Sequence, residues 1–260
     1  MLKVMFDSNV YKQVCDPPQG DPLFVSYARI KFAIAAGEIV GFISETIFTI
    51  EGIKRNERRK TIGKRKGKLN VQETIVDSNT VKQDMVFGPE RGHDFGENEQ
   101  LRQHFIKAIS AGLKVVSLPR IAGYVNEEVE PNLFKHAEGH LEAFLNKAFE
   151  AAEKIEERGA GMAQIRNLGL QYDPLVWQRG LAKMPAERKN KIAALAGEWA
   201  DGDSVVTAIG LHCDYFCTKD EARGAGQKSV LSAVNKAWLL ADYRFRTISP
   251  ARLAELLSSL

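Results

Sequence analysis

The sequence predicts an α/β protein, and three observations lead there. Short apolar runs alternate with helix-period segments at both ends of the chain. Polar turn residues stop each run, and the helical segments carry recognisable start and stop signals. The 260 residues, 44% apolar and 27% charged, have the composition of a folded chain that can bury one large core or two small ones.

Lys3 to Phe6 is the first apolar run, followed by Asp7-Ser8-Asn9, residues that favour turns and helix starts. Pro17, Pro18, Gly20 and Pro22 mark a loop. Phe24 to Ala36 has helical spacing, with Gly37 where a left-handed C-terminal residue belongs. Ile39 to Ile43 is a second strand, and Ser44 can cap a helix from Glu45 to about Ile53. Leu69 to Val76 and Thr80 to Phe87 read as a hairpin around Asp77-Ser78-Asn79. Asn98 to Ala111 reads as a helix, and Lys114 to Leu118 as a core strand stopped by Pro119.

Phe134 to Arg158 is the clearest helix, with Leu141, Phe144, Leu145, Ala148, Phe149, Ala152 and Ile155 on its buried stripe. Pro185 starts another through about Ala196, and Asp203 to Leu211 reads as a separate one. A strand at Tyr215–Cys217, a helix over Ser229–Leu240, a strand at Phe245–Ile248 and a helix led by Pro250 complete the chain. Residues 1–54 and 197–260 therefore form one sheet domain. Residues 55–196 read as a basic arm and a mainly helical insertion, partly packed on that core.

Charge is unevenly spread. The formal net charge is +3, yet residues 54–68 hold nine Lys or Arg against one Glu. The rest of the chain is mildly acidic. Lys54, Arg55, Arg58, Arg59, Lys60, Lys64, Arg65, Lys66 and Lys68 are thus candidates for contact with nucleic-acid phosphates, the alternative being an exposed, solvated connection. Tyr11, Phe48 and Phe87 are candidate base-stacking platforms that could equally be core. No apolar run approaches 18 residues, which excludes a helical membrane span. Three cysteines and an opening, MLKVMFDSNV, without a basic-then-apolar layout predict a cytoplasmic, reducing setting.

Four acids occupy comparable places. Asp7 follows a predicted strand, Glu45 opens the helix after the second, Asp203 begins a helix, and Asp220 closely follows the Tyr215–Cys217 strand. In a parallel sheet such positions can converge beyond the C-terminal strand edge. Each has a structural explanation as a turn former or helix-dipole partner. Together, unneutralised, they would repel one another; Mg²⁺ or Mn²⁺, one or two ions, would remove that repulsion and could activate water for phosphodiester hydrolysis.

These residues also carry a resemblance. Val4-Met5-Phe6-Asp7-Ser8-Asn9-Val10, Ile43-Ser44-Glu45-Thr46-Ile47, and Asp201-Gly202-Asp203-Ser204-Val205-Val206-Thr207-Ala208 with Cys213-Asp214-Tyr215-Phe216-Cys217-Thr218-Lys219-Asp220 resemble the acidic motifs of PIN-domain nucleases, in order. The resemblance covers less than half the chain and implies a three-layer α/β/α sandwich with a mostly parallel central sheet. It gives Asp7, Glu45, Asp203 and Asp220 catalytic, metal-centred roles. Asp214 is a further candidate that could instead begin the strand. Ser8, Asn9 and Thr218 would orient carboxylates or waters. It implies a metal-dependent endoribonuclease with RNA as the preferred partner. A non-catalytic nucleic-acid-binding module and a structure-specific DNA nuclease are the alternatives, and an inhibitory protein partner, as in toxin–antitoxin pairs, or a homo-oligomer stays open.

Overall fold

The computed structural model describes residues 1–63, 67–77, 80–89, 98–120, 128–220 and 228–259. In chain order these form β1 (Leu2–Phe6), α1 (Ser8–Cys15), α2 (Phe24–Ala35), β2 (Ile39–Ser44), a π-helical turn (Ile47–Glu51), α3 (Arg58–Gly63), β3 (Gly67–Asp77) and β4 (Thr80–Pro89). They continue with α4 (Glu99–Ser110), β5 (Lys114–Val116), α5 (His140–Glu157), α6 (Met162–Leu170), α7 (Trp177–Lys183) and α8 (Lys189–Gly210). β6 (Tyr215–Cys217), α9 (Ala233–Tyr243), β7 (Thr247–Ile248) and α10 (Pro250–Ser258) end the chain.

Five strands make the central sheet, in the order β5-β2-β1-β6-β7, and every pairing in it is parallel. The alternation of side chains along a strand builds the layers. Val4 and Phe6 of β1 face one side, where they pack with Val10, Tyr11 and Val14 of α1, Ile30 of α2, Phe105 of α4 and Leu253 of α10. Met5 faces the other side, with Phe144, Ala148 and Ile155 of α5 and Val205 and Ile209 of α8. The result is a three-layer α/β/α arrangement. A third cluster joins Ile50 and Ile53 to Ile62 of α3, Ile165 and Leu168 of α6, Leu181 of α7 and Ile192 and Trp199 of α8. Tyr11 and Phe48 are buried and offer no exposed ring for stacking.

The structure departs from the sequence reading in three places. The spacing predicts a new helix at Asp203, but α8 runs unbroken from Lys189 to Gly210 through Gly197 and Gly202. Gly202 crosses Gly161 so closely that a Cβ there would meet the Gly161 Cα at 2.8 Å, so packing, not chain flexibility, explains that glycine. The long helix begins at His140 rather than Phe134; Gly139 precedes it in the left-handed region at φ 75°, and Phe134 N–H donates to the Val115 carbonyl at 2.7 Å. Finally, β5 lies inside residues 55–196 yet forms the edge strand of the main sheet, and α8 runs through residue 197. Residues 55–196 thus supply an edge strand of the sheet as well as packing on the core. Among the described residues, no helix is long and apolar enough to cross a membrane.

The α6–α7 crossing rests on glycine. A Cβ at Gly180 would overlap the Gly169 carbonyl, backbone that no rotamer change can clear. Alanine's better helix propensity, about 1 kcal/mol, opposes an overpacking penalty of about 1–3 kcal/mol with backbone on the other side. Gly180→Ala should lower the urea midpoint; an unchanged or higher midpoint would show that the crossing is not tight.

Candidate active site

Asp7 takes its position from the end of β1. Its N–H donates to the Cys217 carbonyl at 3.0 Å, continuing the β1–β6 ladder, and its side chain caps α1 by accepting from Ser8 N–H at 2.6 Å. The other carboxylate oxygen accepts from Asn9 Nδ2 at 2.9 Å and from the Thr218 hydroxyl at 2.5 Å. Thr218 follows β6 directly, and its oxygen also accepts Asp220 N–H at 2.9 Å. Asn9 Oδ1 accepts Lys219 N–H at 3.1 Å. Side chains at the start of α1 thus hold the exit of β6 and fix the direction of the Asp7 carboxylate.

Three more acids come to this edge from elements that flank it. The π-helical turn ends in Glu51, whose Oε1 accepts the Ser8 hydroxyl at 3.1 Å while Oε2 is buried without a partner. On α8, Glu198 and Asp201 are three residues apart and share a face. Glu198 accepts the Ser229 hydroxyl and Val230 N–H, leaving Oε2 buried and unpartnered. Burial pushes the Asp201 carboxyl well above its ordinary range, and the negative charges of Asp7, Glu51, Glu198 and Asp220 push it further. Burial also raises Asp7, against the Thr218 and Ser8 hydrogen bonds and with added repulsion from Asp220. Glu51 is raised by burial and by Asp7, opposed by its Ser8 hydrogen bond and by Arg58 and Lys12, and Glu198 is raised mainly by burial.

Of the sequence-predicted acids, Asp7 and Asp220 are together here. Asp203 is not. Two residues after Asp201 on a continuous helix, it projects about 200° away. There Arg120 Nη1 meets its Oδ1 at 2.5 Å and Trp199 Nε1 donates to its Oδ2 at 2.9 Å. Arg120 also binds Glu156, which Arg166 meets at 2.8 Å. Burial raises the Asp203 carboxyl and Arg120 opposes the rise, so this acid is held in an ion pair of its own.

Asp214 is also elsewhere. It precedes β6, at the opposite strand edge, and its Oδ2 accepts Lys3 N–H at 2.7 Å. Four residues of strand separate Lys3 from Asp7, about 13 Å. Glu45 lies beyond β2 at the same edge as Asp7; it is buried, its N–H donates to the Val116 carbonyl at 2.9 Å, and its carbonyl accepts Phe48 and Thr49 N–H groups. On Asp201, the largest charge effect after burial comes from Asp7, followed by Glu51, Glu198 and Asp220.

The basic segment divides. Arg58 is buried, donating to the carbonyls of Ile53 at 2.9 Å, Ala193 at 2.5 Å and Glu51 at 2.5 Å. It ties the π-helical turn to α8 and is not available to phosphates. Arg59 donates to the Ala182 carbonyl at 2.8 Å, whereas Lys54, Arg55 and Lys60 are exposed. Lys64, Arg65 and Lys66 lie outside the described residues, as do the side chains of Lys68 and Phe87.

Sequence reasoning missed Glu51, Glu198 and Asp201. Glu51 sits within the predicted helix that opens at Glu45, and Asp201 within the quoted Asp201-Gly202-Asp203 run. Extending the apolar period of α8 back from Val205 through Trp199 would have put Asp201, not Asp203, on the side of Glu198. No protein-family model, curated protein or solved structure matches the chain.

The donor chemistry fits a hard divalent cation: carboxylate oxygens, two of them buried without partners, among groups that repel one another. Among the described residues, no group of three or more His, Cys, Asp or Glu side chains is placed so that it could hold a metal ion as it stands. To hold Mg²⁺ or Mn²⁺, the carboxylates of Glu51, Glu198, Asp201, Asp7 and Asp220 would have to draw closer together.

The repulsion has a stability signature. A carboxyl whose folded pKa is raised binds its proton more tightly when folded, so stability is lost as pH rises from the ordinary carboxylate range through the folded value. In chelator, Asp201→Asn should therefore melt several degrees above wild type at about pH 7.5, at roughly 2–4 °C per kcal/mol for a chain this long. The gap should close at about pH 4, where Asp201 is protonated. A variant that melts below wild type at neutral pH would mean that the Asp201 charge is neutralised within the fold.

Proposed function

We propose that the protein is a Mg²⁺- or Mn²⁺-dependent phosphodiesterase that hydrolyses RNA. The observation that carries this reading is the gathering of Asp7, Glu51, Glu198, Asp201 and Asp220 at one sheet edge, where burial raises the carboxyls of the first four and one oxygen each of Glu51 and Glu198 is orphaned. A fold tolerates such mutual repulsion where function uses it. A divalent cation there would supply Lewis-acid chemistry for water attack on a phosphodiester.

The chain's own residues supply direction. Asn9 and Thr218 hold one Asp7 oxygen and Ser8 N–H the other, so the carboxylate cannot rotate. The Ser8 hydroxyl couples Asp7's helix to Glu51 at the end of the π-helical turn, a helix distortion that often marks functional sites. Just beyond Glu51, the exposed Lys54, Arg55 and Lys60 provide positive charge for the phosphates of an approaching strand. The preference for RNA over DNA rests on the PIN-like motifs around Asp7 and Asp220.

Incubation with single-stranded RNA and DNA in Mn²⁺, Mg²⁺ or chelator tests this reading. Wild type should cleave RNA only with a divalent cation. Asn9→Ala, which loosens a carboxylate without removing it, should lose about 10–100-fold. Asp7→Asn and Asp201→Asn should lose more. Cleavage that survives chelation or Asp7→Asn would reject the assignment, and cleavage of DNA alone would move the substrate class.

A further inference from the structure

Among the described residues β7 is the last strand of the sheet on this side, and side chains of α9 and β7 line a common groove. It is open, has a volume of about 410 Å³, and is lined by Tyr215, Lys236, Leu240, Phe245, Arg246 and Thr247 among others. Phe216 N–H donates to the Arg246 carbonyl at 2.8 Å, and Thr218 N–H to the Ile248 carbonyl at 3.0 Å. Residues 246 and 248 therefore turn their backbone polar groups toward β6. By strand alternation the N–H and C=O of Thr247 point the other way, to the open edge. Leu240 on α9, an apolar side chain in the groove lining, is 49% exposed. Lys236 and Arg246 have no ion pair or side-chain hydrogen bond among the described residues.

We propose that this groove takes an extended acidic peptide as a sixth strand of the sheet. Thr247 offers the backbone donor and acceptor that strand addition requires. Leu240 and Phe245 would cover an apolar side chain of the added strand, and Lys236 and Arg246 would meet its carboxylates. An oligonucleotide would satisfy the two cations but leave the Thr247 amide and the apolar wall unmatched. A second copy of the chain paired edge to edge through β7 would bring two Arg246 guanidinium groups toward each other. None of the cluster acids lines the groove, so the proposal does not depend on their chemistry.

The test uses the full chain and fluorescein-labelled eight-residue peptides, one alternating Val and Glu and one alternating Val and Lys, with a single-stranded RNA of matched charge to the first. Fluorescence anisotropy should show binding of the Val/Glu peptide, weakened by salt, and none of the Val/Lys peptide. Arg246→Glu and Lys236→Glu, both at solvent-accessible side chains, should each weaken the acidic peptide at least tenfold, and the double variant should bind the Val/Lys peptide instead. Hydrogen exchange at the Thr247 amide should slow in the complex. Failure of the acidic peptide to bind, binding indifferent to both substitutions, or Arg246-dependent binding of RNA alone would overturn the proposal.

Discussion

Repulsion among carboxylates at the C-terminal edge of the sheet is the constraint around which this structure is organised. Asp7 closes β1, Asp220 follows β6, Glu51 ends the π-helical turn after β2, and Glu198 and Asp201 share one face of α8. Nothing in their own chemistry draws them together. The apolar packing of the sheet with its two helical layers, and of Ile50, Ile53 and Trp199 in the third cluster, holds them in place against their charge.

The nearby arginines are committed elsewhere, by arrangement and not by scarcity of positive charge. Arg58 is committed to three backbone carbonyls, where it closes the π-helical turn against α8, and only part of its field reaches Glu51. Arg120 spans Asp203 and Glu156 on the opposite side of α8. A buried pair of that kind adds little net stability over apolar packing, but losing one partner strands the other at a cost of about 3–5 kcal/mol. It therefore fixes the rotation of α8, and with it the direction in which Asp201 and Glu198 point. One aspartate anchors the helix, and its near neighbour faces the site.

Much of the sheet was legible in the sequence because its signals are local. The run Lys3–Phe6 ending at Asp7, the run Ile39–Ile43 ending at Ser44, and Tyr215–Cys217 each show a strand and its stop within a few residues. Asp7 and Asp220 were found by the same logic, since a strand end is readable one residue at a time. Asp201 and Glu198 were not, because their direction depends on whether a helix continues through Gly197 and Gly202, and tertiary packing against Gly161 decides that. Arg58 looked like part of a basic arm because sequence shows its charge and not the carbonyls of Ile53 and Ala193 that surround it. Asp214 stands six residues before Asp220, and only strand direction reveals that the two lie at opposite edges.

A calorimetric titration of the chelator-treated protein with Mn²⁺, repeated in buffers of different ionisation enthalpy, reads the crowded carboxylates directly. Where burial and mutual repulsion hold protons on these groups, a bound cation must displace them. Wild type should bind Mn²⁺ with measurable proton release near pH 6, and Asp201→Asn should bind more weakly and release fewer protons. Absence of Mn²⁺ binding, or binding whose strength and proton release are the same in Asp201→Asn and Glu51→Gln as in wild type, would contradict the account.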